Sequence, residues 1–224
     1  MYKTLSECRV PLLRCSWSPD GRQLVACGQS KLLYVYNMVT YKRHLVLEGH
    51  VHDATSCSFS SDGRLIISGS LDTRAIVWDA ETGAQLQTLL HLNPPPRLIF
   101  ASGENGAWVR AAVMSKSMCQ TATVCEDGFV RFWNVWQESS EPALSVLVPR
   151  IKEDEMLTSC TFNAAGSVLA VGTSHGSVTF LTVPKHIPSL MHSARRAIRM
   201  LTPGEDVEKL PLPAGVRAYL RYAL

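Results

Sequence analysis

Short runs rich in β-branched and aromatic residues recur from the start of the chain to about Val183, separated by pairs that favour tight turns. Runs of this kind predict β-strands, and Asp20-Gly21, Asp62-Gly63, Asp127-Gly128 and His175-Gly176 predict the hairpins between them, because glycine accepts the positive φ such turns need. Past Val183 the spacing changes. Between Pro188 and Leu201, apolar Leu190, Ala194, Ala197, Ile198 and Leu201 fall at helical intervals, while Arg195, Arg196 and Arg199 gather on the other side. Pro188 and Ser189 supply start signals and Thr202-Pro-Gly204 a stop, so this is an amphipathic helix. A second, shorter helix is expected over 214–222, with Val216, Tyr219 and Leu220 on one side. The tail has too few apolar residues for a core of its own and must dock, on the strand-rich body or on a partner.

Sliding the sequence on itself exposes the organisation of the body. Cys15-Ser-Trp-Ser-Pro-Asp-Gly-Arg-Gln-Leu24 lies over Cys57-Ser-Phe-Ser-Ser-Asp-Gly-Arg-Leu-Ile66 at an offset of 42 residues, and Leu32–Tyr36 lies over Arg74–Trp78 at the same offset. A period of that length is the length of one propeller blade. Two more diverged copies are Ala122–Trp133 and Cys160–Leu181, giving four units at about 10–47, 50–90, 108–136 and 156–183. Each unit reads as a four-stranded antiparallel meander. Trp78 and Trp133 are 55 apart, 13 more than the period, and the excess is a loop insertion in the Leu92–Trp108 stretch, which holds Pro94-Pro95-Pro96.

Composition narrows the class. With 46% apolar and 18% charged residues in 224, the chain supports a sizeable core, and its net charge of +3 does not imply a nucleic-acid surface. Seven cysteines, an odd number with no C-x-x-C pair, fit a reducing compartment. With no signal-like start and no run approaching the roughly 18 apolar residues that span a bilayer, no membrane association is expected, and the cytoplasm, with the nucleus as a further site, is the expected location.

The second unit carries the fullest signature: Gly49-His50 before its first strand, Ser68 in the second, Asp72 at the next turn, and Trp78-Asp79 closing the third. It resembles the WD-repeat family, which implies an all-β propeller in which His50, Ser68, Asp72 and Trp78 form a buried structural hydrogen-bond chain. The third unit keeps Thr123, Asp127 and Trp133. The first has Ala26, Ser30 and Tyr36 and the fourth Val171, His175 and Leu181 in those places, so these two are expected to hold by packing alone. Four blades fall short of the roughly seven usual in that family and read as an incomplete ring, as in an N-terminally shortened form.

In the tail, Ser189-Leu190, Ala194, Ile198 and Leu201 resemble the elongin-binding half of a SOCS box, and Leu210-Pro211-Leu212-Pro213 its cullin-selecting half. The combination is similar to the WD repeat and SOCS box-containing family, with blades over 1–184 and the box over 185–224. The resemblance implies a non-catalytic adaptor of a ubiquitin ligase, binding elongin C and elongin B through Leu190 and its neighbours, cullin-5 with its RING partner through Leu210 to Pro213, and an unidentified protein substrate through the repeats. The family pattern has Cys where this chain has Ala194, a difference of on the order of 1 kcal/mol or less in packing.

Other chemistry is poorly supported. The remaining histidines, His44, His52, His91, His175, His186 and His192, have no metal-ligand spacing and read as surface residues, so no metal and no cofactor are expected. A glycine-rich phosphate loop between a strand and a helix, a G-x-S-x-G elbow and a carboxylate pair are likewise not expected. The competing readings are a plain propeller scaffold whose tail helix merely packs on the blades and, more distantly, a hydrolase housed in divergent loops.

Overall fold

The structure is a computed structural model that describes residues 10–91, 106–116, 120–135, 141–149, 154–184, 198, 209 and 211–220. The chain divides into two compact units, Met1–Pro184 and Lys185–Leu224.

The first unit is built from fifteen strands in four antiparallel sheets among the described residues. Blade 1 is β1 (Leu12–Trp17), β2 (Gln23–Gly28), β3 (Ser30–Asn37) and β4 (Lys42–Glu48). Blade 2 is β5 (Ala54–Phe59), β6 (Leu65–Ser70), β7 (Arg74–Asp79) and β8 (Gln85–Leu90). Blade 3 is β9 (Val109–Met114), β10 (Thr121–Cys125), β11 (Phe129–Trp133) and β12 (Leu144–Leu147). Blade 4 shows β13 (Leu157–Phe162), β14 (Val168–Thr173) and β15 (Val178–Thr182). One expectation is thereby corrected: the third unit runs past residue 136 to take its outer strand from β12. Three strands of the fourth unit lie among the described residues. Most of the expected insertion, 92–105, lies outside the described residues.

The turns explain why the repeat folds as it does. Gly21, Gly63, Gly128 and Gly176 have φ of 69°, 72°, 84° and 83°, values that favour glycine. Before them, Asp20, Asp62 and Asp127 each accept a backbone N–H two residues on, from Arg22, Arg64 and Phe129, closing the turn locally. In blades 1 and 2 the serines at equivalent positions, Ser18 and Ser60, both donate to that aspartate at 2.6 Å and accept from the strand on the far side of the turn. Identical bonds at a spacing of 42 are the structural form of the sequence repeat.

Apolar side chains fill the spaces between sheets. Val25, Cys27, Leu33 and Val35 of blade 1 pack on Cys57, Phe59, Ile66 and Trp78 of blade 2, and Ala122, Val124, Val130 and Phe132 of blade 3 pack on Leu157, Leu169 and Val171 of blade 4. The core is thus a series of layers between successive sheets, as period-2 alternation on both faces requires.

In the second unit one helix, α1 (Ala214–Leu220), is described, begun by the bonds from the Val216 and Arg217 N–H groups to the Pro213 carbonyl. The end of the expected 214–222 helix, beyond Leu220, lies outside the described residues, and its apolar side is divided: Leu220 is buried and Val216 exposed.

Candidate functional site

The structure brings together His50, Ser68, Asp72 and Trp78. The Trp78 indole N–H donates to Ser68 Oγ at 2.8 Å, Ser68 Oγ lies 2.7 Å from His50 Nε2, and His50 Nδ1 lies 2.8 Å from Asp72 Oδ2. The carboxylate also accepts the Val51 and Arg74 backbone N–H groups, each at 3.0 Å. Burial works to raise the Asp72 pKa, but the bond from His50 and the two backbone donors outweigh it and hold the group below the usual carboxylate range. With Nδ1 protonated toward the carboxylate and Nε2 accepting the serine proton, every member is satisfied.

Serine, histidine and aspartate in this order are also the parts of a hydrolytic triad. Here Ser68, His50 and Asp72 are buried, and the serine oxygen is engaged by the Trp78 N–H, so no substrate reaches it. The chain is a clamp between strands β6 and β7 and the segment entering blade 2.

Blade 3 holds a second clamp, which corrects the reading of His91 as a surface residue. His91 is buried, its Nε2 meets Thr123 Oγ1 at 2.8 Å, and the Trp133 indole N–H donates to the same oxygen at 2.8 Å. Its Nδ1 lies 3.2 Å from the Thr73 carbonyl in the β6–β7 turn of blade 2. Asp127 takes no part in that chain: both its oxygens are held by Arg131, at 3.2 and 2.6 Å. Burial, together with the positive charge of Arg131, pushes the His91 pKa down to about 3, so the ring is neutral. The sequence signal was present, since His91 lies 41 residues beyond His50, nearly one period.

Blade 4 also departs from expectation. It does not rest on packing alone: buried Glu155 accepts from Thr173 Oγ1 at 2.6 Å and Ser177 Oγ at 2.7 Å, tying the approach to β13 to the β14–β15 turn. Blade 1 places Tyr36, buried, where blade 2 has Trp78.

Gly172-Thr-Ser-His-Gly176 does carry the G-x-S-x-G spacing. It spans a β-hairpin rather than a strand-to-helix turn. Ser174 Oγ accepts the Met156 N–H at 3.1 Å and lies 3.2 Å from His175 Nδ1, and His175 Nε2 is 3.4 Å from Asp154. The Asp154 side chain is 78% exposed, so this loose Ser-His-Asp contact sits in water without the dry, preorganised surroundings that catalysis needs. Among the described residues no cluster of three or more His, Cys, Asp or Glu can hold a metal ion, and no helix is long and apolar enough to cross a membrane. Burial lifts the Cys125 thiol well above its usual range, which makes it a packing group and not a nucleophile.

In the tail, Ser189, Leu190, Ala194, Leu201 and Leu210 lie outside the described residues. Ile198 is helical and half-buried, Pro211 and Pro213 are exposed, and Leu212 is half-buried.

The WD domain, G-beta repeat family matches residues 2–37 and 41–79, and the SOCS box family matches residues 186–221. The chain is 39% identical over 224 residues, its whole length, to WD repeat and SOCS box-containing protein 1 of Homo sapiens, covering 51% of that protein. With the protein of the same name from Takifugu rubripes it shares 41% over 207 residues, 92% of this chain and 47% of the relative. It is also 25% identical over 173 residues to small ribosomal subunit protein RACK1y of Oryza sativa subsp. japonica, covering 75% of this chain and 46% of that one. The chain spans about half the length of the curated relatives it matches.

Proposed function

This chain belongs to the WD repeat and SOCS box-containing proteins, and from that membership we propose that it is a substrate adaptor of a cullin-RING ubiquitin ligase. The observation that carries the reading is the SOCS box match over 186–221, placed directly after the blades and containing both Leu190 and Leu210-Pro-Leu-Pro213. In this reading the amphipathic helix lays Leu190, Ala194, Ile198 and Leu201 into a groove of elongin C, which arrives with elongin B, a helix-in-groove mode of recognition. Leu210 to Pro213 then selects cullin-5 and its RING partner. The blades hold a target protein, and transfer is accelerated by proximity to the RING-bound conjugating enzyme.

The chain itself supplies no chemistry in this scheme. The buried Ser68-His50-Asp72 set and the water-exposed Ser174-His175-Asp154 contact both support a non-catalytic part. The thiols described, Cys15, Cys27, Cys57, Cys125 and Cys160, are free, which favours the reducing cytoplasm or nucleus as its location.

The test is capture of the full chain by purified elongin B–elongin C complex. Wild type binds, and Leu190→Ala weakens capture by about 30-fold or more, the scale of losing an interface hot spot. If the wild-type chain is not captured, or if Leu190→Ala binds equally well, the adaptor reading fails and a plain WD-repeat scaffold takes its place.

A further inference from the structure

Each blade opens its first strand with the same irregularity. The ladder to the second strand skips one residue, which leaves Leu13, Thr55, Arg110 and Thr158 as bulges at equivalent places. A bulge takes a side chain out of the alternation of its strand and re-aims it. In blades 2 and 4 the bulged threonine turns back on its own blade: Thr55 Oγ1 donates to the Gly69 carbonyl at 3.0 Å, and Thr158 Oγ1 to the Gly172 carbonyl at 3.1 Å. Arg110 has no hydroxyl with which to make that bond. Its guanidinium lies instead over the Trp108 ring, 5.3 Å from the centroid, and 3.9 Å from the Glu126 carboxylate.

Trp108 and Glu126 are departures from the repeat as well. In blades 2, 3 and 4 the carbonyl just before the first strand accepts the N–H of the residue just after the second, which aligns Asp53, Trp108 and Met156 with one another and Leu71, Glu126 and Ser174 likewise. Blade 3 thus sets a tryptophan, an arginine and a glutamate where blade 2 has Asp53, Thr55 and Leu71. The three also touch, since Glu126 Oε1 accepts the Trp108 N–H at 3.4 Å. The bulge does not call for them, because blades 2 and 4 form it with other residues. The site lies inside the run of blades, with β9 packed on β5 of blade 2 and on β13 of blade 4. Met156, in the place of Trp108 on blade 4, is 44% exposed and extends the apolar surface.

The Arg110 side chain is 31% exposed, and at 3.9 Å its contact with Glu126 is longer than a hydrogen bond. The fork of N–H groups is therefore oriented by the ring and open to a planar acceptor. One guanidinium beside one carboxylate suits a singly charged guest, whereas phosphate is taken up by clusters of arginines. We propose that this rim of blade 3 reads the target: an acidic peptide segment docks with an Asp or Glu carboxylate on Arg110 and a neighbouring apolar side chain on Trp108 and Met156. This assignment deepens, and rests on, the reading that the blades hold a target protein.

The experiment pans the full chain against a display library of short random unmodified peptides and measures the selected peptides by fluorescence polarisation. Wild type is expected to enrich Asp or Glu close to Trp, Phe or Leu. Arg110→Thr and Trp108→Asp each install the residue of blade 2. Both variants should therefore unfold in urea as wild type does and be captured equally by elongin B–elongin C, while affinity for the selected peptides falls about 30-fold or more. Arg110→Glu should reverse the selection, enriching Lys or Arg in place of the acid. Elongin capture is read on the same samples, so failure of the adaptor reading appears as loss of capture by wild type, separately from failure of this site. No enrichment of acidic peptides, equal binding of them by Arg110→Thr, or an unchanged preference with Arg110→Glu overturns the proposal.

Discussion

Blades 2 and 3 both run a hydrogen-bond chain from a buried tryptophan through a hydroxyl to a histidine, Trp78–Ser68–His50 in one and Trp133–Thr123–His91 in the other. They end it differently. In blade 2 the histidine meets a carboxylate, Asp72, which it shares with two backbone N–H groups. In blade 3 the corresponding aspartate is taken by Arg131, and the histidine turns to the Thr73 carbonyl of the neighbouring blade. The difference shows that the tryptophan, the hydroxyl and the histidine are the shared part of the clamp, and that the last partner can be exchanged. Exchanging it has an electrostatic consequence: a ring closed on a neutral carbonyl beside a guanidinium cannot take up a proton without loss.

The largest test of that contrast is Asp72→Ala. It strips the partner from buried His50 and from two backbone donors and should cost about 3–5 kcal/mol in urea unfolding. A loss under about 1 kcal/mol would mean that the carboxylate is dispensable in blade 2 as well.

Next comes acid sensitivity. His91 has a folded pKa near 3, below the unfolded value of about 6.5, so the unfolded chain binds more protons between those limits. Its stabilisation is complete above pH 6.5 and is lost as pH falls toward 3, at up to about 1.4 kcal/mol per unit. Over two units below 6.5 this amounts to roughly 2–3 kcal/mol, and His91→Gln should flatten the slope by that amount. An unchanged slope in the variant would remove the distinction between the two clamps.

Of slightly smaller size is Thr123→Val, which leaves the Trp133 N–H and His91 Nε2 facing a methyl group and should cost about 2 kcal/mol. Ser68→Ala in blade 2 should match it within measurement, because the hydroxyl is common to both. The smallest effect concerns the turn between the second and third strands. Blade 3 has Gly128 there, whereas blade 2 has Thr73, a β-branched residue at φ of 68° whose hydroxyl is buried without a partner among the described residues. Thr73→Gly should raise stability by on the order of 1 kcal/mol, because left-handed strain is relieved. A loss would show that Thr73 packing matters more than its backbone.

Much of the fold is legible in the sequence where local spacing survives. The 42-residue offset places the strands and turns of blades 1 and 2, and Gly49-His50, Ser68, Asp72 and Trp78-Asp79 carry the WD-repeat resemblance that implies their chain. His91 is not legible in that way, because the insertion separates it from its own strand: 18 residues divide His50 from Ser68, but 32 divide His91 from Thr123. Glu155 is hidden for another reason, since blade 4 meets the same need for a buried tie with a carboxylate and two hydroxyls in place of a histidine chain. Val216 shows the limit of helical spacing in a helix of two turns, where period alone does not say which apolar residue meets a neighbour. In the tail, the adaptor reading rests on the order of side chains, because Leu190 is singled out by the Leu210-Pro-Leu-Pro213 segment downstream of it and not by its own surroundings.

In the proposed function the blades supply rigid layers and the tail supplies recruitment, and the second of these is the central claim. Its most direct measurement is co-elution of the full chain with cullin-5 and its RING partner, with and without elongin B and elongin C. One complex is expected to form only when the elongins are present, and combined Pro211→Ala and Pro213→Ala should lose the cullin while keeping the elongins. Absence of cullin-5 from the wild-type complex, or its retention when Leu190→Ala is used to block elongin capture, would contradict the account.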